Sequence, residues 1–321
     1  MGPGMSVLVH QAGHLVYEHH SGWADVLQGQ TVQADTPFEL ASVSKTITAV
    51  AVLQLMERGQ LQLQDPVTRY LPELPATWSG MQLHHLLAHQ SGLPDVLNEW
   101  PKKTLDHLTV AQLLANLGRS PVLKFAPGER SAYSNTNFVL LAEVVSRITG
   151  LSWDAYLRRH VFEPAGMTDS FTLGAQPEQA RPYALNYGVG EPVDGIYYVL
   201  PGAIGVKSSA RDLHRWVQAL VQGRLLQPKS WELMTRVHSA LEDGRLYGYG
   251  WTLTRTEWRS LLPPLSGGSA FGHTGRLGAH RTALYVDTRK DWDLVVLGNG
   301  GKASEDLMLK VIALVRQHLE Q

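Results

Sequence analysis

A chain of 321 residues, with 44% hydrophobic and 18% charged residues, is long enough for two modules or one domain carrying an insertion, and its composition excludes a disordered or fibrous protein. A formal net charge of -1 gives no concentrated basic face for nucleic acid or an anionic membrane, so the expected partner is a small molecule or a short peptide, while oligomeric state stays unknown. With no cysteine, disulfide frameworks, thiolate metal sites and a catalytic thiol are all excluded.

The opening segment, "MSVLVHQAGHLVYEHHSGWAD", holds two apolar stretches, Val7 to Val9 and Leu15 to Tyr17, around the glycine-bearing turn "QAG". That pattern predicts an antiparallel hairpin. The same region lacks the basic, apolar and small-residue parts of a secretory signal, and no apolar run reaches the ~18 residues of a membrane span. As written, the chain is expected to be cytoplasmic.

From Ser42 the pattern becomes helical, with Ile47, Val50, Ala51, Leu53 and Met56 in register and Gly59 placed for a left-handed cap. Residues 61–245 then read mostly as helices: "QLHHLLAHQSGLPD", "TVAQLLANLG", "NTNFVLLAEVVSRITG", "SWDAYLRRHVF" and "ARDLHRWVQALVQG". Strand patterns return in "YGYGWTLTR", "AFGHTGRLG" and "RTALYVDTRKDWDLVVLGNG", and a helical run over 304–320 closes the chain. Beta segments at both ends predict an α/β (α+β) fold. One discontinuous mixed domain, 1–60 with 246–321, would carry an antiparallel sheet flanked by helices, and 61–245 would be an inserted helical domain.

Ser42 and Lys45 lie three residues apart at the start of the predicted helix, so they share one face there and the Lys45 amine can sit over the Ser42 hydroxyl. A serine becomes a nucleophile when a neighbouring base takes its proton, and a lysine can serve if burial leaves its amine neutral. Roughly one such spacing is expected by chance in a chain this long, and an N-capping serine beside a solvated lysine is the plain alternative. Two further elements favour chemistry. "FAPGERSAYSNTNFVLL" sets Tyr133, Ser134 and Asn135 in a loop before a helix, free to face a substrate. "SAFGHTGRLGAHRTALYV" sets His273, Thr274 and Gly275 on a strand, where glycine often marks close approach by another backbone or a ligand.

Together these make the ordered trio Ser-x-x-Lys, Tyr-x-Asn and His-Thr-Gly, a variant of the trio found in β-lactamases and penicillin-binding proteins. The chain resembles the serine β-lactamase superfamily, in particular its class C and D-alanyl-D-alanine carboxypeptidase branch with related esterases and D-aminopeptidases. Further blocks extend the resemblance over nearly the whole chain: "FELASVSKTITAVAVLQLMERGQLQLQDPVTRYLPEL", "LHHLLAHQSGLP", "GAIGVKSSARDL" and "GYGW". It implies a β-lactamase/transpeptidase-like fold and a serine hydrolase forming an acyl-enzyme on Ser42. Lys45 and Tyr133 would share proton transfers, Asn135 would bind the amide side of the substrate, and His273 and Thr274 would line the opposite wall. The backbone N–H groups of Ser42 and of Arg276, which follows Gly275, would form the oxyanion hole. No cofactor or metal is implied.

Two departures stand out. The third motif of class C β-lactamases begins with lysine, a permanent cation, whereas His273 has a reference pKa of ~6.5. Family members also carry a helix before the segment that is Pro3-Gly4 here. Either the closing helix covers that sheet face alone, or the start is internal and a helix or export signal precedes it.

His85 and His89 are one helical turn apart, but the Glu of a His-Glu-x-x-His site is missing, so packing and capping are expected of His84, His85 and His89 rather than metal binding. No G-x-S-x-G elbow supports a Ser-His-Asp triad. Tyr247, Tyr249, Trp251 and Trp258 are open to two readings, an acyl-binding wall or the core. Three function classes follow: a hydrolase on esters, amides or D-amino-acid peptides, a β-lactam or peptide sensor that acylates without turnover, and a silent interaction scaffold.

Overall fold

The computed structural model describes residues 2–101, 108–119, 122–172, 200–253 and 270–320. The hairpin forms as expected. Strands β1 (Met5–Gln11) and β2 (His14–Ser21) are joined through Ala12 and Gly13, both at positive φ, the geometry a tight two-residue turn requires. Short strands β3 (Trp23–Asp25), β4 (Gln30–Thr31) and β5 (Phe38–Glu39) follow.

The chain end supplies β10 (Ala270–Leu277), β11 (His280–Asp287) and β12 (Trp292–Gly298), after the short β6 (Phe171–Thr172), β7 (Val206–Ser208), β8 (Ser239–Ala240) and β9 (Leu246–Tyr247). The main sheet has the order β10-β11-β12-β1-β2 and is antiparallel throughout. β1 is therefore an inner strand, with Met5 opposite Gly298 and Gln11 opposite Trp292.

Alternation along these strands sorts their side chains onto two faces. Met5, Val7, Val9, Ala283, Tyr285, Leu294 and Val296 pack with Met308 and Ile312 of the closing helix Lys302–Glu320. On the other face Leu8, Leu284, Val295 and Leu297 join the larger cluster centred on helix α1 (Ser44–Glu57). α1 is buried on all sides from Ser44 to Leu55, as a helix in the middle of a protein must be, and it ends before Gly59, whose φ is +67°.

Two readings of the sequence change. Residues 61–245 are not wholly helical, because β7 pairs with both β5 and β6 in a second, three-stranded sheet. Of the described residues in the run "YGYGWTLTR", only Tyr247 lies in a named strand, with Thr252 in isolated bridges to Tyr247 and to Gly272 of β10. The chain then turns through Gly250, at φ +77°, where a Cβ would sit 2.7 Å from the Lys45 carbonyl oxygen. The turn exists because only glycine lets that backbone lie against the first turn of α1. The end of that run and Trp258 lie outside the described residues. Among the described residues, no helix is long and apolar enough to cross a membrane.

Candidate active site

Ser42 is not the first residue of α1. It sits in a 3-10 turn, Ala41–Val43, that runs into the helix at Ser44. The turn is entered through Ala41 at φ +48°, a left-handed conformation that a residue with a Cβ adopts only when its surroundings fix it. The surroundings are specific. The buried Glu39 carboxylate accepts from the N–H groups of Ala41 (2.8 Å) and Gly205 (3.0 Å) and pairs with buried Lys207. Burial works to raise the Glu39 pKa, but the Lys207 ammonium and the Gly205 N–H outweigh it and hold the group below its ordinary value.

Gly275 of β10 passes directly over this turn, and a Cβ there would lie 2.2 Å from the Leu40 oxygen and 3.1 Å from the Ala41 Cβ. Close backbone approach is thus the reason for glycine at this strand position. Arg276, the next residue, is exposed. Thr274 is partly exposed on the same strand.

Lys45, in the first turn of α1, is fully buried. Its Nζ donates to Ser42 Oγ (3.1 Å), Asn135 Oδ1 (2.7 Å) and the Ala203 carbonyl (2.9 Å). Burial pushes its pKa down to about 7; the Asp95 charge opposes that fall and the Arg245 charge adds to it. Near neutrality a substantial share of the amine is therefore unprotonated, with a lone pair beside the serine hydroxyl.

Tyr133 stands in the loop before the helix Asn135–Thr149, its ring centroid 5.0 Å from Lys45 Nζ and 5.5 Å from the Arg245 guanidinium carbon. Asn135 is the first residue of that helix and is buried. Its amide is engaged at both ends, because Nδ2 donates to Asp95 Oδ1 (3.0 Å) and Oδ2 (3.1 Å) while Oδ1 faces Lys45.

His273 is buried at 3% exposure, and burial, reinforced by the Lys45 charge, brings its pKa down to about 3. Nδ1 lies 2.6 Å from the Thr274 oxygen, an acceptor, so Nδ1 carries the proton. Nε2 then accepts from the Tyr247 hydroxyl at 3.0 Å. His273 is therefore a neutral imidazole. A second charged group near it, after Lys45, is Arg245, which pairs with Asp243 at 2.7 Å. The structure therefore brings Ser42, Lys45, Tyr133, Asn135 and His273 together, with Gly275 against the turn that carries Ser42 and Thr274 beside it on β10.

The beta-lactamase family model matches residues 1–317. The chain belongs to the beta-lactamase family. It is 31% identical over 332 residues to penicillin-binding protein 4* of Bacillus subtilis, covering 94% of this chain and 69% of that protein. It is 40% identical over 221 residues to esterase EstB of Burkholderia gladioli, covering 63% of this chain and 56% of that protein. A penicillin-binding protein from Bacillus halodurans superposes with a TM-score of 0.82 at 24% identity, covering 96% of each chain, a likeness of fold.

Within this beta-lactamase family member, several residues at the site escaped the sequence reading. Asp95 caps the short helix Val96–Glu99 and also holds Asn135; the "LPD" before an apolar run was its one local signal, a cap. His89 carries φ +56° and is fully buried. Its Nδ1 accepts from the Ser134 N–H (3.1 Å), its carbonyl accepts from the Ala132 N–H (2.9 Å), and its ring lies 4.3 Å from that of Tyr133. Burial, with the charges of Lys45 and Arg245 adding to it, keeps the His89 imidazole neutral, its pKa well below the ordinary value. His89 therefore braces the Tyr133 loop from both sides, more than the packing expected of it.

Capping holds for His85, whose Nδ1 accepts from the Gln82 N–H at 3.1 Å. Of the aromatic residues, Trp251 is core, packed on Trp216 and Phe271, and Tyr249 stacks on His238. Tyr247 belongs to the site through His273.

Proposed function

We propose that the chain is a serine hydrolase that forms an acyl-enzyme on Ser42. The observation that carries this is the buried Lys45 amine, 3.1 Å from Ser42 Oγ and with its pKa near 7. Ser42 Oγ attacks the substrate carbonyl carbon as its proton passes to the Lys45 amine. The proton is returned to the leaving group through Lys45 and Tyr133. Water then attacks the ester carbon and releases Ser42. The N–H groups of Ser42 and Arg276 serve the developing oxyanion, and Thr274 and His273 line the wall beside it. Asn135 acts mainly by orienting Lys45, since both ends of its amide are already engaged.

The substrate class that this reading favours is neutral acyl esters and amides ahead of carboxylate-bearing β-lactams or D-alanyl peptides. His273 is neutral, the Arg245 charge is matched by Asp243, and EstB, an esterase, is among the relatives. The same reading keeps 61–245 as a module set against 1–60 with 246–321, with the cleft between them. Tyr133 and Asn135 come from the first and Ser42, Lys45 and His273 from the second.

Incubation with a fluorophosphonate and with penicillin, followed by intact-mass measurement and a screen of short acyl esters, D-alanyl peptides and cephalosporins, tests this. One adduct per chain, lost in Ser42→Ala, with turnover of esters, is the expected result. An adduct that persists in Ser42→Ala overturns the nucleophile; acylation without turnover of any substrate makes the protein a sensor.

A further inference from the structure

On the sheet face away from the closing helix, His10 of β1 stands opposite Asp293 of β12, and His214 of the helix Ala210–Val221 lies over that rung. A register shift in the β1–β2 pairing falls between Val9 and His10, the kind of irregularity that re-aims a side chain. The two imidazole rings are stacked, with centroids 3.4 Å apart and planes 8° from parallel. Asp293 is 2% exposed, and its Oδ2 and Oδ1 lie 2.9 Å and 3.1 Å from His214 Nδ1. His10 Nδ1 is buried and has no hydrogen-bond partner among the described residues. One donor atom from each of the three residues falls within 4.8 Å of the other two.

An ion pair between His214 and Asp293 answers the buried carboxylate but leaves the His10 nitrogen unsatisfied. It also sets a cationic ring flat against the face of a second imidazole, 3.4 Å away. A divalent cation answers all three groups at once. It takes a carboxylate oxygen of Asp293 and one nitrogen lone pair from each imidazole, His10 included.

We propose that His10, His214 and Asp293 form a binding site for one divalent transition-metal ion of the zinc class. Two imidazoles and a carboxylate are the donor set such ions take, with water completing the shell on the partly exposed histidine side. Ligand atoms around a tetrahedral zinc lie about 3.4 Å apart, given metal–ligand bonds of ~2.0–2.1 Å, and an imidazole lone pair lies in its ring plane, so the two stacked rings must rotate out of parallel to converge on one ion. The donors come from β1, β12 and a helix from mid-chain, so the ion would clamp three distant segments together. β1 is three strand spacings, roughly 14 Å, from β10, which separates this site from Ser42. The salt bridge from Arg211, on the same helix, to Glu18 of β2 (2.6 Å) already holds the helix to the sheet one turn away. It also neutralises the nearby cation.

The full chain, free of any histidine tag and stripped with a chelator, is titrated with Zn2+ by calorimetry and with Co2+ by visible absorption. The expected result is one ion per chain, a ligand-field band of tetrahedral or five-coordinate cobalt, and a rise in Tm with Zn2+. Affinity should fall about 10–100-fold or more in His214→Ala and in the near-isosteric Asp293→Asn. No one-to-one binding at micromolar Zn2+ overturns the site, as does one-to-one binding that both variants retain. The cobalt band is read on the unaltered protein, so the outcome does not depend on a variant that fails to fold.

Discussion

Lys45 and Asp95 are joined through the two ends of one amide: Asn135 Oδ1 accepts from Lys45 Nζ at 2.7 Å, and Asn135 Nδ2 donates to Asp95 Oδ1 at 3.0 Å. The carboxylate thus fixes which end of Asn135 faces the lysine. It also opposes the effect of burial on the lysine pKa.

The acid limb of activity should report Lys45. Protonated Lys45 cannot take the serine proton, so kcat/KM for a neutral ester should rise with pH through about 7 and level off above it. Asp95→Asn removes a charge that raises the Lys45 pKa, so the limb should move to lower pH, by roughly one unit. A limb that stays in place, or moves upward, would mean that another group controls it.

Ser42→Ala should fold as the parent does, because the Ser42 hydroxyl caps no helix and Lys45 keeps its bonds to Asn135 and Ala203. Turnover should drop on the order of 10³-fold or more. Circular dichroism, Tm and ester turnover measured together check this.

Gly275→Ala places a methyl group 2.2 Å from the Leu40 oxygen, and its three nearest contacts are with Leu40 and Ala41, where the turn that carries Ser42 begins. Overpacking of this kind costs about 1–3 kcal/mol. Displacing a nucleophile by about 1 Å costs about 10²-fold in rate. We expect a Tm lower by several degrees and a larger relative loss in kcat than in KM. Unchanged kinetics would show that β10 does not press on the nucleophile turn.

His273 stays neutral through the range where a free histidine titrates, since its own pKa is brought down to about 3. The pH profiles of a carboxylate-bearing ester and its neutral amide or methyl ester should therefore overlay between roughly pH 5.5 and 7.5. A separate inflection near ~6.5 for the carboxylate substrate alone would show that His273 acts as a titrating anchor.

How much of the fold and site was legible in the sequence depends on how local each feature is. The hairpin at "QAG" and the facing of Ser42 and Lys45 need only a turn type or a three-residue spacing, and both stand. Gly275 was legible for a similar reason, since glycine weakens a strand interior and is kept there where another backbone must come close. The bond from Asn135 to Asp95 spans 40 residues, and that from Glu39 to Gly205 spans 166, so no periodicity reveals them. Ala41 gives no signal at all: alanine is not a residue of left-handed turns, and Glu39 and Gly275 impose that conformation from outside. "YGYGW" reads as a strand because its aromatic residues fit one, yet Gly250 is spent on contact with Lys45.

β1 lies between β12 and β2, with Met5 paired to Gly298. During synthesis at roughly 5–20 residues per second, β1 would wait on the order of 15–60 s for its inner neighbour to be made. Until then the β1–β2 hairpin presents an open, apolar edge through Val7 and Val9, the kind of edge that pairs with whatever strand is near. Closing a loop of that span is also a slow way to reach the native state. Yield from the ribosome, and recovery after denaturation, should therefore depend on protein concentration and on chaperones that shield strand edges far more than the final stability of the sheet would indicate.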